Sequence, residues 1–293
     1  MKLIILIFFI VTFLDANPSI LVINSNKNVE KYTQTLDAFK SNFKHPFEVL
    51  DISNMKAKEI KEYLYDEYPD MVYTIGAKAY RYTYSCIPEK KIFFSSIVNY
   101  KRLPMQYEEF GISNELHTGM QLTLIKSVFN NIKSISVIYS KYTKSLVDEL
   151  IVNAKKLNIK ILCKEVSKDS IKSIDFDKFL DESESIMIIS DPVFLRYKDI
   201  VKKVLNDAEV LHKPIFSYHR MFLKYGAVLA ITADNPTVGR QMAGLIERSL
   251  KNKKIKKVQY PSGTKVIFNK KIAKQLKIPY SSNINFLANE IIE

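Results

Sequence analysis

The chain has 293 residues, 44 Lys and Arg against 31 Asp and Glu for a net charge of +13, and 47% hydrophobic residues with only 7 Gly and 10 Pro. That length allows one large domain or two ordinary ones, and the composition excludes a disordered or low-complexity chain. The charge does not point to nucleic acid: only Arg81, Arg102, Arg196, Arg220, Arg240 and Arg248 carry the rigid fork that phosphate and base recognition favours, and the lysines are spread over the whole chain.

The N-terminus opens MKLIILIFFIVTFLDAN, with Lys2 followed by an apolar run over residues 3–14. Twelve residues are too few for a membrane-spanning helix, which needs roughly 20, but they suit the core of a secretory signal. Residues 1–16 are therefore expected to be a signal peptide cut after Ala16, with an uncleaved anchor as the alternative, and the mature protein to be periplasmic or otherwise extracytoplasmic. Strand-like runs then recur at ILVINSN (20–26), FEVLDIS (47–53), MVYTIG (71–76), KIFFSSIVN (91–99), SISVIYS (134–140), KILCKEV (160–166), SIMIISD (185–191), PIFSYH (214–219) and AVLAITAD (227–234). Amphipathic stretches of helical period separate them, at 29–43, 55–65, 115–129, 146–157, 200–210 and 238–250. Strand alternating with helix predicts right-handed βαβ units and parallel sheets covered on both faces. Nine strands are many for one sheet, so two sheets of four or five are expected. The late run KNKKIKK (251–257) reads as a solvated helix end and loop. Cys86 and Cys163 lack a C-x-x-C partner and read as two separate buried thiols, or as a pair only if the fold brings them together. The four histidines make no metal-ligand spacing, so neither a metal nor a cofactor is expected.

In parallel α/β sheets, ligands sit beyond the carboxyl ends of the strands. Those turns are polar here: Ser25 after the first strand, Gly76, Ala77 and Lys78 after the third, Ser95, Ser96 and Asn99 after the fourth, then Tyr139 and Ser140, Asp191, Tyr218 and Asp234 in the second half. Each alone also reads as a helix cap. As a set they are the candidate binding residues for a small polar or zwitterionic ligand. The turn at 76–78 offers helix N-terminal amides for a carboxylate, and Asp191 or Asp234 a partner for an ammonium. It lacks the spacing of a phosphate loop or of G-x-G-x-x-G.

YTIGAKAY (73–80), IFFSSIVNYKRL (92–103), MQLTLIKSVFNNIKSISVIYS (120–140), PIFSYHRMFLKYGAVLAITAD (214–234), VGRQMAG (238–244) and YPSGTKVIFNKKIAKQL (260–276) together resemble the ABC-transporter substrate-binding proteins related to the tryptophan/tyrosine-uptake component. The resemblance implies a type I periplasmic-binding architecture: two doubly wound, Rossmann-like lobes with parallel sheets and a ligand cleft between them, residues 17–114 plus about 232–253 forming lobe I and 115–231 plus about 254–293 lobe II. It further implies a monomer that binds an aromatic or hydrophobic amino acid and delivers it to an ABC permease and its ATPase. Where relatives carry V-x-D-P after the fourth strand, this chain has Ser96-Ile97-Val98-Asn99-Tyr100, which leaves the ligand open. Tyr100, Phe194 and Tyr218 are candidates for an aromatic pocket or for ordinary core. A sensor subunit with the same fold is the rival reading. An enzyme has little support, since G-x-S-x-G, H-E-x-x-H and dinucleotide motifs are missing.

Overall fold

The computed structural model describes residues 18–293; the expected signal peptide and its cleavage point lie outside the described residues. The first half runs β1 (Ile20–Asn24), α1 (Glu30–Asn42), β2 (Glu48–Asp51), α2 (Ala57–Glu67), β3 (Met71–Ile75), α3 (Ala77–Cys86), β4 (Lys91–Ser95) and β5 (Glu109–Ile112). The second runs α4 (Thr118–Val128), β6 (Ser134–Tyr139), α5 (Lys144–Lys156), β7 (Lys160–Glu165), α6 (Phe176–Asp181), β8 (Ser185–Ile188), α7 (Lys198–Val210), β9 (Ile215–Ser217) and β10 (Leu229–Ala233). α8 (Asn235–Leu250), β11 (Val258–Gln259), β12 (Thr264–Asn269), α9 (Lys270–Gln275), α10 (Ile284–Leu287) and β13 (Glu290–Ile292) complete the chain.

These form two sheets, β11-β5-β4-β3-β1-β2 and β13-β12-β10-β9-β8-β6-β7. All pairings are parallel except β10 with β12. Within each sheet the first five strands in chain order lie 2-1-3-4-5, so each has a switch point beside its first strand, between β1 and β3 in one and between β6 and β8 in the other. β1 and β8 are buried along their whole length, as strands covered by helices on both faces must be.

The chain crosses between the sheets three times, at β5 to α4, β10 to α8 and β11 to β12. Sheets of six and seven strands replace the expected four or five. The strands that add to them are β5, interrupted by Gly111, the two-residue β11 and the three-residue β13, all too short or irregular for a periodicity argument, and the six-residue β12, which lies beyond the alternating series. The assignment of 254–293 to lobe II needs one correction: β11 pairs with β5 in the first sheet, because Gly111 N–H donates to the Lys257 carbonyl at 2.7 Å. Cys86 and Cys163 are unpaired and half-buried rather than buried.

α8 begins at Asp234, whose Oδ2 accepts from the Thr237 amide at 3.0 Å, with Pro236 in the first turn where its missing N–H costs nothing. The helix then lies on α1 so closely that a Cβ on Gly239 would stand 2.2 Å from the Thr35 carbonyl oxygen and 2.9 Å from the Phe39 nitrogen. Backbone cannot swing aside as a side chain does. Gly239→Ala is therefore expected to cost at least about 2 kcal/mol through overpacking. Gly244 of the same helix has nothing within 4 Å of the Cβ position. Gly244→Ala is expected to gain about 0.5–1 kcal/mol from helix propensity alone. Urea unfolding of both variants checks the pair, and equal midpoints would mean that α1 and α8 do not pack at Gly239.

Candidate functional site

The carboxyl ends of both sets of parallel strands face the gap between the lobes. On the lobe I side, Gly76 has φ +89°, and its missing side chain makes room for Tyr32, whose Cζ would lie 2.7 Å from a Cβ there. Three donors at the turn are engaged within the lobe. Gly76 N–H donates to the Ser95 carbonyl at 2.9 Å, Ala79 N–H to Ser25 Oγ at 3.0 Å, and Lys78 Nζ to the Ile52 carbonyl at 2.5 Å, at the end of the neighbouring β2. Ser25 and Gly76 thus shape the start of α3, Ala77 is its first residue, and the Lys78 ammonium is drawn to the end of β2 instead of standing over the turn.

Ser95 and Ser96 turn inward. Ser95 Oγ shares a 2.7 Å hydrogen bond with the Tyr73 hydroxyl in the lobe core, and Ser96, at φ 59°, sets its hydroxyl 3.4 Å from Thr35 Oγ1. Asn99 does face the other lobe: its Nδ2 donates to the Ser190 carbonyl at 2.6 Å. Lys101 Nζ donates to Ser145 Oγ at 3.0 Å, the Arg102 guanidinium lies 4.8 Å from the Tyr142 ring centroid, and Tyr260 donates to Glu149 Oε2 at 2.9 Å. These contacts hold the two lobes against each other along one side of the gap.

Asp191 is fully buried. Its Oδ2 accepts from Ser140 N and Ser140 Oγ at 2.7 Å and from Thr143 Oγ1 at 2.6 Å, and its Oδ1 from the Val193 and Phe194 amides at 2.9 and 2.8 Å. Five donors leave it no direction in which to meet a ligand ammonium, so the expectation that it does so is replaced by a positional role: it ties the turn after β6 to the turn after β8. Tyr139 points outward along its sheet, donating to Glu165 Oε2 on the edge strand β7 at 3.2 Å. Asp234 is the α8 cap, with Arg240 3.7 Å away, and its remaining edge lines the gap. Phe194 is core and Tyr100 packs near Phe94.

The gap holds a cavity of about 400 Å³ whose walls include Lys31 and Gln34 of α1, Asn114 of the first crossing, and Tyr218, His219 and Asp234. Asn114 and Tyr218 also border a smaller apolar pocket of about 30 Å³, walled by Leu146, Leu150, Met187, Ile189 and Ile231 on the lobe II side. Glu115 stands at its rim. Glu115 Oε1 accepts the Asn99 amide, while Oε2 is shut from solvent with no hydrogen-bond partner among the described residues. Burial pushes the Glu115 carboxyl up, against the pull of the Asn99 amide and of Lys101 and Lys31. Burial pulls the Lys31 ammonium down, against the field of Glu115. The Tyr218 hydroxyl is pushed up to about 12, by burial and then by Glu115. His219 is pulled down by burial and by Lys31 and Arg220.

Of the residues singled out in the sequence, Asn99, Tyr218 and Asp234 are brought to the gap, whereas Ser95, Ser96, Tyr139 and Asp191 are not. Glu115, Asn114 and Lys31 were missed. The turn at 113–115 follows β5, whose EFGI carries no strand signal, so the strand-end rule had nothing to act on there. Lys31 reads as one more lysine on a solvated helix face until α1 is docked.

The model of the family described as ABC transporter substrate binding protein matches residues 25–292. No curated protein matches the chain. Among solved structures, an ABC domain from Streptococcus pneumonia in complex with L-Trp is similar at 19% identity and TM-score 0.61, covering 93% of this chain and 100% of that one. A ligand-free, open substrate-binding protein with adhesive properties from Clostridium difficile is similar at 16% identity and TM-score 0.70, covering 94% and 99%. A conserved domain protein from Vibrio cholerae is similar at 19% identity and TM-score 0.63, covering 94% and 100%. At such identities the likeness shows the shared two-lobed fold.

Asp191→Ala strands two hydroxyls and three amides in a dry turn, so it is expected to lower unfolding free energy by about 3 kcal/mol or more, read as a fall in the urea midpoint. An unchanged midpoint would show that the network does not hold the two turns. Glu115 supplies a pH signature. Its folded-state carboxyl binds the proton more tightly than the ordinary 4.5, so the folded state binds more protons than the unfolded one just above that pH, and stability falls as pH rises through the window. Between pH 4.5 and neutrality the unliganded protein should therefore lose stability relative to Glu115→Gln; parallel curves for the two would place the carboxylate in solvent.

Proposed function

The chain belongs to the ABC transporter substrate-binding protein family, and from that premise we propose that it is exported by its N-terminal segment, captures an amino acid with a hydrophobic, most simply aromatic, side chain between its lobes, and presents it to a membrane permease and its ATPase. One observation carries the ligand class: a cavity of about 400 Å³ between the lobes has both basic and acidic side chains at its walls, Lys31 and Asp234 among them, and an apolar pocket bordered by Glu115 beside it. A zwitterion with an apolar side chain matches that distribution of charge and grease. A sugar would call instead for a wall dense in neutral hydrogen-bonding groups.

The L-Trp in complex with the pneumococcal neighbour supports the same class. The apolar pocket has only about 30 Å³ free as it stands, so an indole or phenol ring requires Leu146, Leu150 and Met187 to move apart. Met and Leu side chains allow such repacking at small cost. Closure follows the rule that a ligand shifts the open and closed populations only by its difference in affinity for the two. The contacts of Asn99, Lys101 and Arg102 with lobe II are those that a closed form makes and an open one breaks.

A thermal-shift screen of the purified protein against the amino acids, short peptides, nucleosides and sugars tests this reading. A ligand at 100 times its Kd adds about 2.7 kcal/mol to the folded state, which moves Tm visibly. Shifts confined to aromatic and branched amino acids are expected. Shifts with sugars or nucleosides alone would overturn the amino-acid assignment while leaving the family and fold untouched.

A further inference from the structure

Resting on the amino-acid reading above, we propose that Glu115 and Lys31 are the two poles of the ligand site, Glu115 receiving the α-ammonium and Lys31 the α-carboxylate. The hydrogen bonding of Glu115 is incomplete. One oxygen of Glu115 is committed to the Asn99 amide; the other is buried and has no donor among the described residues, and the side chain is part of the wall of the interlobe pocket. A buried carboxylate oxygen without a donor is costly, and in native proteins such a group marks a missing partner. The partner must be a donor, and an ammonium serves best because it also neutralises the charge.

Lys31 shows the complementary deficit. Its ammonium is half-buried at the wall of the larger cavity, and among the described residues it makes no ion pair, its closest aromatic neighbour being the Tyr32 ring at 5.1 Å. Glu115 and Lys31 feel each other's field yet form no ion pair. Asn114 and Tyr218 border both the apolar pocket at Glu115 and the cavity at Lys31, so the two spaces meet at a shared boundary. An amino-acid backbone laid across it puts opposite charges at opposite ends, and leaves its side chain toward Leu146, Leu150 and Met187. Specificity for the free zwitterion follows. A neutral analogue leaves either Glu115 or Lys31 buried and unpaired, and that loss discriminates more sharply than a change in apolar area.

Other charges face the same space. Lys101 acts on Glu115 from the first lobe, and Arg220 acts on His219 from the second. Lys101 is bound to Ser145 and Arg220 to Glu290, so neither is placed to complete Glu115.

The test pairs each side chain with the ligand group that it is assigned. Calorimetric titration of the wild type uses L-tryptophan, L-tyrosine, L-phenylalanine and L-leucine; for whichever binds, its N-acetyl derivative and its methyl ester follow. Glu115→Gln keeps the acceptor for the Asn99 amide, so the unliganded variant is expected to melt no lower than wild type while losing at least tenfold in affinity for the free amino acid. The N-acetyl derivative should bind wild type weakly and Glu115→Gln no worse. Lys31→Met should lose at least tenfold for the free amino acid and bind the methyl ester as wild type does. Amino-acid binding that survives Glu115→Gln and Lys31→Met unchanged overturns the two poles and leaves the transport reading intact. Wild-type binding of sugars or nucleosides in place of any amino acid overturns both. If Glu115→Gln does not fold, equal wild-type affinity for the free and N-acetylated ligand still defeats the assignment of Glu115.

Discussion

The close seat of α8 on α1 is the constraint from which the site follows. α8 leaves the second sheet at Asp234 and crosses to the first lobe, where Gly239 lets its backbone lie against Thr35 and Phe39. That contact joins the C-terminal half of the chain to its first helix and sets the first turn of α1 at the mouth of the gap. Asn235 Nδ2 donating to Gln34 Oε1 at 3.1 Å fixes the same edge. Without this docking Lys31 would be an ordinary surface cation; with it, the ammonium lies at a cavity wall and is partly stripped of water.

The electrostatics on either side of the gap divide into settled and unsettled groups. Asp191 is as deeply buried as any charge in the protein, yet every direction around it is occupied by a donor, and the result is a rigid brace between the turns after β6 and β8. Glu115 is buried with half of its hydrogen-bonding capacity unused. The first arrangement stabilises a fold; the second costs stability, and proteins retain such groups where function needs them. The sites differ in origin too. Asp191 is braced by neighbours within its own lobe, whereas Glu115 sits on a crossing between lobes and is bonded to Asn99, which itself reaches across to Ser190.

Three short crossings join two bodies with separate sheets, and the contacts that span the gap on one side are polar: Asn99 to Ser190, Lys101 to Ser145, Arg102 on Tyr142. Polar contacts of this kind exchange readily for water, so they hold the lobes together without locking them. A binding protein needs that balance, because a ligand's differential affinity of a few kcal/mol must be enough to decide between the open and the closed form.

Much of the architecture was written in local patterns. Buried parallel strands such as ILVIN and SIMI read as apolar runs, the helices between them as 3.6-residue periods, and the alternation of the two leaves few topologies open. Gly76 was recognisable as a strand-to-helix turn because the requirement for positive φ is local. The weak strands β5, β11 and β13 were not legible, since two to four residues take their conformation from a partner strand and not from their own sequence. With β5 went the turn at 114–115. Polar residues at strand ends could be named but not sorted: whether Ser95 turns into the core toward Tyr73, or Asp191 is consumed by five donors, depends on groups distant in the chain. Residue type and periodicity act over a few neighbours and so settle the elements and their layering. Which side chains face the gap, and which of their charges are left without a partner, is a sum over contacts between segments far apart in sequence, and the docking of α8 on α1 and the crossings between the lobes decided it.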